Sequence, residues 1–154
     1  MFKVYHFKRL LSTNEKAKEF KINSVVIADE QRFGKGRFSR RWSSGKGGVY
    51  LSLVLDADDV KIQYFTFVAA ISVQKAIKDV YGIKSVIKWP NDLIYTNKKI
   101  CGILTNSNNK KTIVGVGINT NNTIPKSLIK KGISLKKIIN KKINNKIIIN
   151  KILE

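Results

Sequence analysis

Disulfides, apolar spans and the common nucleotide-fold fingerprints are all missing from this 154-residue chain. A single cysteine, Cys101, excludes an internal disulfide and fits a reducing cytosol. No apolar run approaches the roughly 18 residues of a membrane-crossing helix. The N-terminus, Met1-Phe-Lys-Val-Tyr-His, lacks the apolar stretch of a signal peptide, so a cytoplasmic protein is expected. The Gly-Lys-Ser/Thr end of a Walker loop does not occur, and the glycine fingerprint of a dinucleotide-binding unit is incomplete. No internal repeat is visible. Carboxylates are few, ten against thirty lysines and arginines, giving a net charge of +20. Arginine is scarcer still, five residues against twenty-five lysines.

What is there begins with the distribution of those arginines. Four of the five lie between Arg32 and Arg41, in Arg-Phe-Gly-Lys-Gly-Arg-Phe-Ser-Arg-Arg, followed by Trp42. A guanidinium is a planar fork that can hold a phosphate or carboxylate bidentately. Gly34 and Gly36 permit a close backbone approach or a positive φ. The combination suits a small ligand bearing phosphate or carboxylate, although a basic glycine-containing loop alone is weak evidence. The +20 charge points to nucleic acid or another anionic surface. The Lys/Ile/Asn bias after Pro125 offers a blander source, compositional drift together with an acidic partner or ligand.

The hydrophobic content of 43% supports a core, and the length fits one domain over residues 1–154. Ser12 and Glu15 have the spacing of a capping box, which predicts a short helix at about 13–21. Residues 24–28 read as a strand, 29–47 as a polar loop and 48–55 as a buried strand. Apolar residues from Ile62 to Val80 recur at helical spacing, predicting a helix over 61–81 that ends at Gly82. Residues 84–89 read as a strand stopped by Pro90. Residues 93–104 read as a hairpin turning at Asn97-Lys98, 106–111 as a polar turn and 112–118 as a strand. In the tail, Leu135, Ile138, Ile139, Ile143 and Ile147 predict a basic amphipathic helix. Its isoleucines would pack on the domain, the membrane-surface alternative being less common. This order predicts an α+β fold with a mainly antiparallel sheet.

Three further segments combine chemistry-bearing residues. Lys88-Trp-Pro-Asn-Asp92 sets a cation, a ring, an amide and a carboxylate at a strand end, where a plain proline turn is the simple alternative. Lys99 lies across the predicted hairpin and can return to the same edge as Asn91 and Asp92. Gly115-Val-Gly117-Ile-Asn119 places glycines on a strand, which marks either a bulge or a close approach.

In this order, these segments resemble the biotin–protein ligase family. The matching residues are Ser12-Thr13-Asn14, Gln31, Gly34-Lys35-Gly36-Arg37, Trp42, Lys88 to Asp92, Lys99 to Leu104 and Gly117-Ile118-Asn119. The resemblance covers about residues 5–122. It implies a class II aminoacyl-tRNA synthetase-like, biotin–lipoate ligase fold with a mixed sheet and packed helices. It implies an ATP- and Mg2+-dependent enzyme that makes biotinyl-5′-AMP and passes biotin to a lysine of a biotin carboxyl carrier domain. Ser12, Thr13, Asn14, Gln31, Lys35, Gly36, Arg37 and Lys99 would bind biotin. Arg37, Arg40, Trp42, Asn91, Asp92, Gly117 and Asn119 would bind ATP and the adenylate. Arg37, Lys99 and Asp92 would carry the chemistry, and no residue is assigned to a resident metal. Expected partners are biotin, ATP and the carrier domain, with a homodimer allowed and neither membrane nor nucleic acid expected.

The chain departs from the family pattern at Lys35, where arginine is usual, at Phe38-Ser39, where a basic glycine-containing stretch is usual, and at Asn106, where an acid is common. Neither a C-terminal β-barrel nor an N-terminal DNA-binding domain is expected. Two rival readings stay open, a lipoate–protein ligase and a basic nucleic-acid-binding domain.

Overall fold

The computed structural model describes residues 1–56, 61–108 and 110–154. Its centre is a seven-stranded sheet in the order β1-β2-β3-β7-β6-β5-β4. The strands are β1 (Lys3–Leu10), β2 (Ser24–Gln31), β3 (Val49–Asp56), β4 (Val86–Lys88), β5 (Asp92–Tyr95), β6 (Lys98–Asn108) and β7 (Lys111–Ile118). Only β1 and β2 pair in parallel, and every other neighbouring pair is antiparallel. The α+β expectation with a mainly antiparallel mixed sheet therefore holds. Among the described residues, no helix is long and apolar enough to cross a membrane.

Helices cover both faces. The long helix α2 (Ile62–Tyr81) buries Ala70, Val73, Ala76 and Ile77. Ala70, Val73 and Ile77 join Val25, Ile27, Leu51, Ile103, Val114 and Val116 of the sheet in the main core. The short helix α1 (Thr13–Ala17) covers the opposite face, where Ala17 packs with Val26, Val54 and Ile113. The period of two along β2 explains this division, since Val25 and Ile27 face one way and Val26 the other. β7 is buried from Thr112 to Ile118 because both of its faces are covered. The α2 helix ends as its sequence predicts. Gly82 takes φ +68° and donates its N–H to the Lys78 carbonyl at 2.8 Å, the left-handed cap that glycine adopts without Cβ strain.

Several boundaries differ from the sequence expectations, each for a local reason. β1 was not expected; Tyr5 and Phe7 alternate with His6 and Lys8, but no residue of this edge strand is fully buried and its apolar signal is weak. The first helix stops at Ala17 instead of continuing to residue 21. Its capping box is half made. Ser12 Oγ accepts from the Glu15 N–H, but the Glu15 carboxylate turns to Lys18 and Lys35. Residues 29–31, expected in a loop, extend β2. The hairpin turn falls one residue earlier than expected, with Thr96 and Asn97 both at positive φ, the pattern of a type I′ turn. The polar turn expected at 106–111 shrinks, since β6 runs to Asn108 and β7 starts at Lys111; residue 109 lies outside the described residues.

The tail forms two helices, α3 (Leu135–Ile139) and α4 (Asn145–Leu153). Asn140, at φ +51°, closes the first, and Asn144 accepts from the N–H groups of Lys146 and Ile147 to start the second. Leu135, Ile143 and Ile148 are buried, whereas Ile147, expected to pack, is 47% exposed.

Candidate active site

Two cavities meet on the α1 side of the sheet. The narrower has a volume of about 50 Å³, and its wall includes Ser12, Thr13, Asn14, Gln31, Lys35, Gly36, Arg37, Trp42, Lys99 and Gly117. The wider is an open cleft of about 480 Å³, and Arg37, Arg40, Trp42, Asn91, Asp92, Lys99, Asn119, Leu128 and Lys131 contribute to its wall. Arg37, Trp42, Asn91 and Lys99 line both.

The narrow cavity is a polar socket built on rigid elements. Thr13 donates to Gln31 Oε1 from both its backbone N–H, at 2.7 Å, and its hydroxyl, at 3.1 Å. The Gln31 amide then donates to Ser44 Oγ at 2.8 Å, fixing the orientation of the side chain. The buried Ser52 hydroxyl lies 2.8 Å from Thr13 Oγ1 and 2.6 Å from Asn14 Oδ1. Asn14 Nδ2 donates to the Leu104 carbonyl at 3.0 Å. Every polar group of this network is held by another, so little reorganisation remains when a ligand arrives. Glycine is required beneath it. A Cβ on Gly115 would lie 1.9 Å from Asn14 Oδ1. Thus Gly115 marks a close side-chain approach, and the strand continues through it in register with β3 and β6.

The cleft is built differently. Residues 34–42, expected as a loose loop, fold into a small hairpin over the junction of the cavities. Trp42 N–H donates to the Gly34 carbonyl at 2.8 Å, and Gly36 N–H donates to the Arg40 carbonyl at 2.7 Å. Gly34 serves close approach, since a Cβ there would lie 2.4 Å from Ser44 Oγ. The positive φ angles in this flap fall on Phe38 (+54°) and Ser39 (+57°), not on the glycines. A non-glycine residue in the left-handed region carries a local cost of about 1 kcal/mol or more. Arg37 donates weakly to Asn91 Oδ1 at 3.4 Å and lies over the Phe38 ring at 4.8 Å. Arg41 is tied to the Arg32 carbonyl at 2.6 Å, while Lys35 pairs with Glu15 at 2.7 Å. The two lysine partners of Glu15, Lys18 and Lys35, hold its carboxyl below the usual carboxylate range.

Across the cleft, the β5–β6 hairpin sets Lys99 Nζ 2.6 Å from Asp92 Oδ1. This is an ionic contact and not an aligned hydrogen bond, for Asp92 Oδ1 is buried with no hydrogen-bond donor. Lys99 Nζ also stands 5.1 Å from the Trp42 ring centre, within cation–π range. The Trp42 indole rests on two glycines. A Cβ on Gly117 would come within 2.4 Å of its Nε1, and one on Gly102 within 3.1 Å of its Cζ3. Trp42 Nε1 is buried without a hydrogen-bond partner among the described residues. Such a donor is costly unless a ligand completes it.

All eight residues expected to bind biotin line the narrow cavity. Of those expected to bind nucleotide, Arg37, Arg40, Trp42, Asn91, Asp92 and Asn119 line the cleft, whereas Gly117 lies under Trp42 on the narrow side. Asn119 is mostly engaged in the fold, accepting from Asn122 Nδ2 at 3.0 Å and donating to the Lys99 carbonyl at 3.4 Å. The sequence reading missed Ser44 and Ser52, which orient Gln31, Thr13 and Asn14, and the cleft wall around Leu128, Lys131 and Gly132. A lone serine within the apolar run of β3 was the available signal for Ser52. Nothing in the sequence marked the 128–132 segment.

A narrow polar socket joined to a cationic cleft on a mixed antiparallel sheet has the chemistry to take a small ligand bearing carboxylate or phosphate. The chain belongs to the Biotin/lipoate A/B protein ligase family, whose pattern it matches over residues 5–121. It is 40% identical over 131 residues to the bifunctional ligase/repressor BirA of Bacillus subtilis, covering 77% of this chain and 40% of that protein. It is 34% identical over 122 residues to biotin–protein ligase 2 of Arabidopsis thaliana, covering 72% of this chain and 37% of that protein. The chain thus spans about two fifths of these relatives' length. Among solved structures, the biotin protein ligase of Aquifex aeolicus in complex with biotin and ATP superimposes with a TM-score of 0.92 at 32% identity, over 97% of this chain and 66% of that one.

Proposed function

We propose that this protein is an ATP-dependent biotin–protein ligase acting in two steps. The biotin carboxylate attacks the α-phosphate of ATP, giving biotinyl-5′-AMP and pyrophosphate. A lysine amine of a biotin carboxyl carrier domain then attacks the mixed anhydride, giving an amide and AMP. The observation that carries this reading is the junction, where Arg37 and Lys99 each line both cavities. A carboxylate reaching out of the narrow socket and a phosphate entering from the cleft would meet between these two cations. Phosphoryl chemistry of this kind depends on positioning and charge neutralisation more than on covalent help.

The socket suits the ureido head of biotin. After their internal bonds, the Ser12 hydroxyl hydrogen, one Asn14 Nδ2 hydrogen and one Gln31 Nε2 hydrogen remain for a ligand. Gly36 lets the flap backbone approach, and Lys35 places a further cation at the wall. Arg37 would hold carboxylate and phosphate, and Lys99 the carboxyl oxygen. Arg40 and Trp42 would meet phosphate and adenine. Asn91, Gly117 and Asn119 would border the nucleotide. Asp92 would orient or deprotonate the incoming amine.

Magnesium fits this site only as a companion of the triphosphate. The described residues hold no group of three His, Cys, Asp or Glu side chains fit to cage a metal, and Asp92 is the carboxylate at the cleft wall. Bound there, it would supply neutralisation of the phosphate charge.

The test is incubation with biotin and α-labelled ATP, expected to yield labelled biotinyl-5′-AMP, followed by transfer of biotin to an added carrier domain. An adenylate formed from lipoate but not from biotin would move the reading to a lipoate ligase. No adenylate from either acid would remove the enzymatic reading.

A further inference from the structure

We infer that Ser44 and Ser52 determine the specificity of the narrow socket by fixing which way its two amides, Gln31 and Asn14, present their donors and acceptors. The socket then takes a neutral cyclic urea as head group and rejects a cyclic guanidinium of the same shape. This rests on the two-step reading above and names what selects the head group of the acid. Ser44 is 5% exposed and Ser52 0%, and neither contributes to the wall of the socket or of the cleft. Both act through other side chains, as positioning residues.

A side-chain amide can turn about its last torsion, exchanging an oxygen acceptor for an NH2 donor with almost no change of shape. The serines remove that choice. Ser44 Oγ donates its own hydrogen to the Trp42 carbonyl at 3.1 Å. Toward Gln31 it has only lone pairs, and it accepts from Nε2 at 2.8 Å. The Thr13 N–H, which can only donate, holds Gln31 Oε1 at 2.7 Å. A turned Gln31 would set its NH2 against the Thr13 N–H and its oxygen against the Ser44 lone pairs. At Asn14, Nδ2 donates to the Leu104 carbonyl at 3.0 Å. Ser52 has one hydroxyl hydrogen and two oxygen neighbours, Thr13 Oγ1 at 2.8 Å and Asn14 Oδ1 at 2.6 Å. Thr13 brings a hydrogen of its own and the amide oxygen does not, so the Ser52 hydrogen goes to Asn14. Glycines leave the room for both contacts. A Cβ on Gly34 would lie 2.4 Å from Ser44 Oγ, and one on Gly115 would lie 1.9 Å from Asn14 Oδ1.

Both amide oxygens therefore face protein donors, and each amide keeps one N–H for a ligand. Among Ser12, Thr13, Asn14 and Gln31, the lone pairs left for a ligand's own N–H groups are those of the two hydroxyls. A cyclic urea matches this division. Its carbonyl oxygen accepts from the amide N–H groups, and its two N–H groups donate to the hydroxyls. A cyclic guanidinium carries donors and no acceptor, as the arginine side chain does. It would set N–H against N–H at both amides, and its charge would stand in a cavity whose wall already holds Lys35, Arg37 and Lys99. Buried donors left unpaired are how a site rejects a near-isostere most strongly. Without either serine hydroxyl, the amide it holds is free to turn and offer its oxygen to the wrong head group.

The experiment measures adenylate formation with three acids: biotin, desthiobiotin, which keeps the cyclic urea without the sulfur ring, and 2-iminobiotin, whose head group is the cyclic guanidinium. Wild-type protein is compared with Ser44→Ala, Ser52→Ala, Asn14→Ala and the double variant Ser52→Ala/Asn14→Ala, each shown to be folded by denaturant unfolding. The wild-type protein is expected to prefer biotin to 2-iminobiotin by about 10³-fold or more in kcat/KM. Each serine variant should raise KM for biotin and desthiobiotin alike by about tenfold, with a smaller change in kcat, and should narrow the preference over 2-iminobiotin by about tenfold. In the Asn14→Ala background, removing Ser52 should change that preference less than about twofold, because the amide it orients is already gone. Should Ser52→Ala not fold, Ser44→Ala at the base of the flap carries the test alone. A wild-type preference below about tenfold overturns the inference. So does a preference that the folded serine variants leave unchanged, or an additive double variant. Failure of the wild-type protein to form adenylate from biotin overturns the functional reading itself, so the two failures are separable.

Discussion

The two cavities are made by opposite means, although they share a wall. Around the narrow socket, each polar side chain is anchored to the sheet or to α1, and the supporting residues Ser12, Thr13, Asn14, Ser44 and Ser52 are all at least 90% buried. Around the cleft, the functional groups sit on a flap and a hairpin, Lys99 and Asp92 remain partly exposed, and Arg37 is held by a 3.4 Å contact and one ring. On the proposed reading, the socket would recognise by shape and fixed hydrogen bonds, and the cleft by charge, which tolerates movement. The proposed reaction, which must admit a nucleotide, release pyrophosphate and then admit a protein, needs movement on the second side only. Phe38 and Ser39, both at positive φ, lie on that second side.

If this division is right, the largest effect follows from removing charge at the junction. Lys99→Ala and Arg37→Ala should each lower adenylate formation by about 10²-fold or more, the scale of losing one positioned charge-stabilising group. Melting temperature should barely move, because neither cation is part of the apolar core. A variant that keeps its rate would place the chemistry elsewhere. The next effect tests the rigid side. Gly115→Ala puts a Cβ where Asn14 Oδ1 now lies, displacing the amide and breaking its bond to Ser52. A cost of about 2–3 kcal/mol in stability is expected from overpacking and the lost buried bond, together with weakened biotin binding. Unfolding by denaturant and calorimetry with biotin check both. Nucleotide binding alone should survive, and parallel loss of both ligands would show that the two sides are one unit.

The same division explains what could be read from the sequence. The socket's Ser12, Thr13, Asn14 and Gln31 were legible through the family resemblance, whereas Ser44 and Ser52, which orient them, carry no motif and are brought in by the fold. Lys99 and Asp92 were also legible, because a short hairpin fixes which residues return to one edge. The flap hairpin was not, since its turn places positive φ on Phe38 and Ser39 and not on its glycines, so no turn-marking residue pair announces it. β1 escaped because an edge strand has one neighbour and need not be apolar on either face. The break in the tail at Asn140 was hidden because the apolar spacing runs through it. Ile143 is buried because its N–H is held by Asn121 Oδ1 at 2.8 Å, not because one helix continues.

The smallest effect concerns the floor beneath both cavities. Cys101 sits on β6 between Ile100 and Gly102, wholly buried, and burial pushes its thiol pKa well up despite the opposing charge of nearby Lys99. An unfolded cysteine ionises near pH 8.5. The folded pKa lies above the unfolded one, so the stability this thiol contributes is whole below about pH 8.5 and is lost as pH rises toward the folded value. Between pH 8.5 and 10 the loss should be about 2 kcal/mol, as linkage requires for one such group. Tyr50, also shifted upward by burial, adds to the slope only above about pH 10. Cys101→Ala should be less stable at neutral pH because it leaves a small void, yet its stability should fall less steeply between pH 8.5 and 10. Denaturant unfolding at three pH values measures the slope, and thiol alkylation of the native protein at pH 8 should be negligible. Rapid alkylation there, or equal slopes in the two proteins, would mean that the floor opens with the cleft and that the rigid side is less rigid than its hydrogen bonds imply.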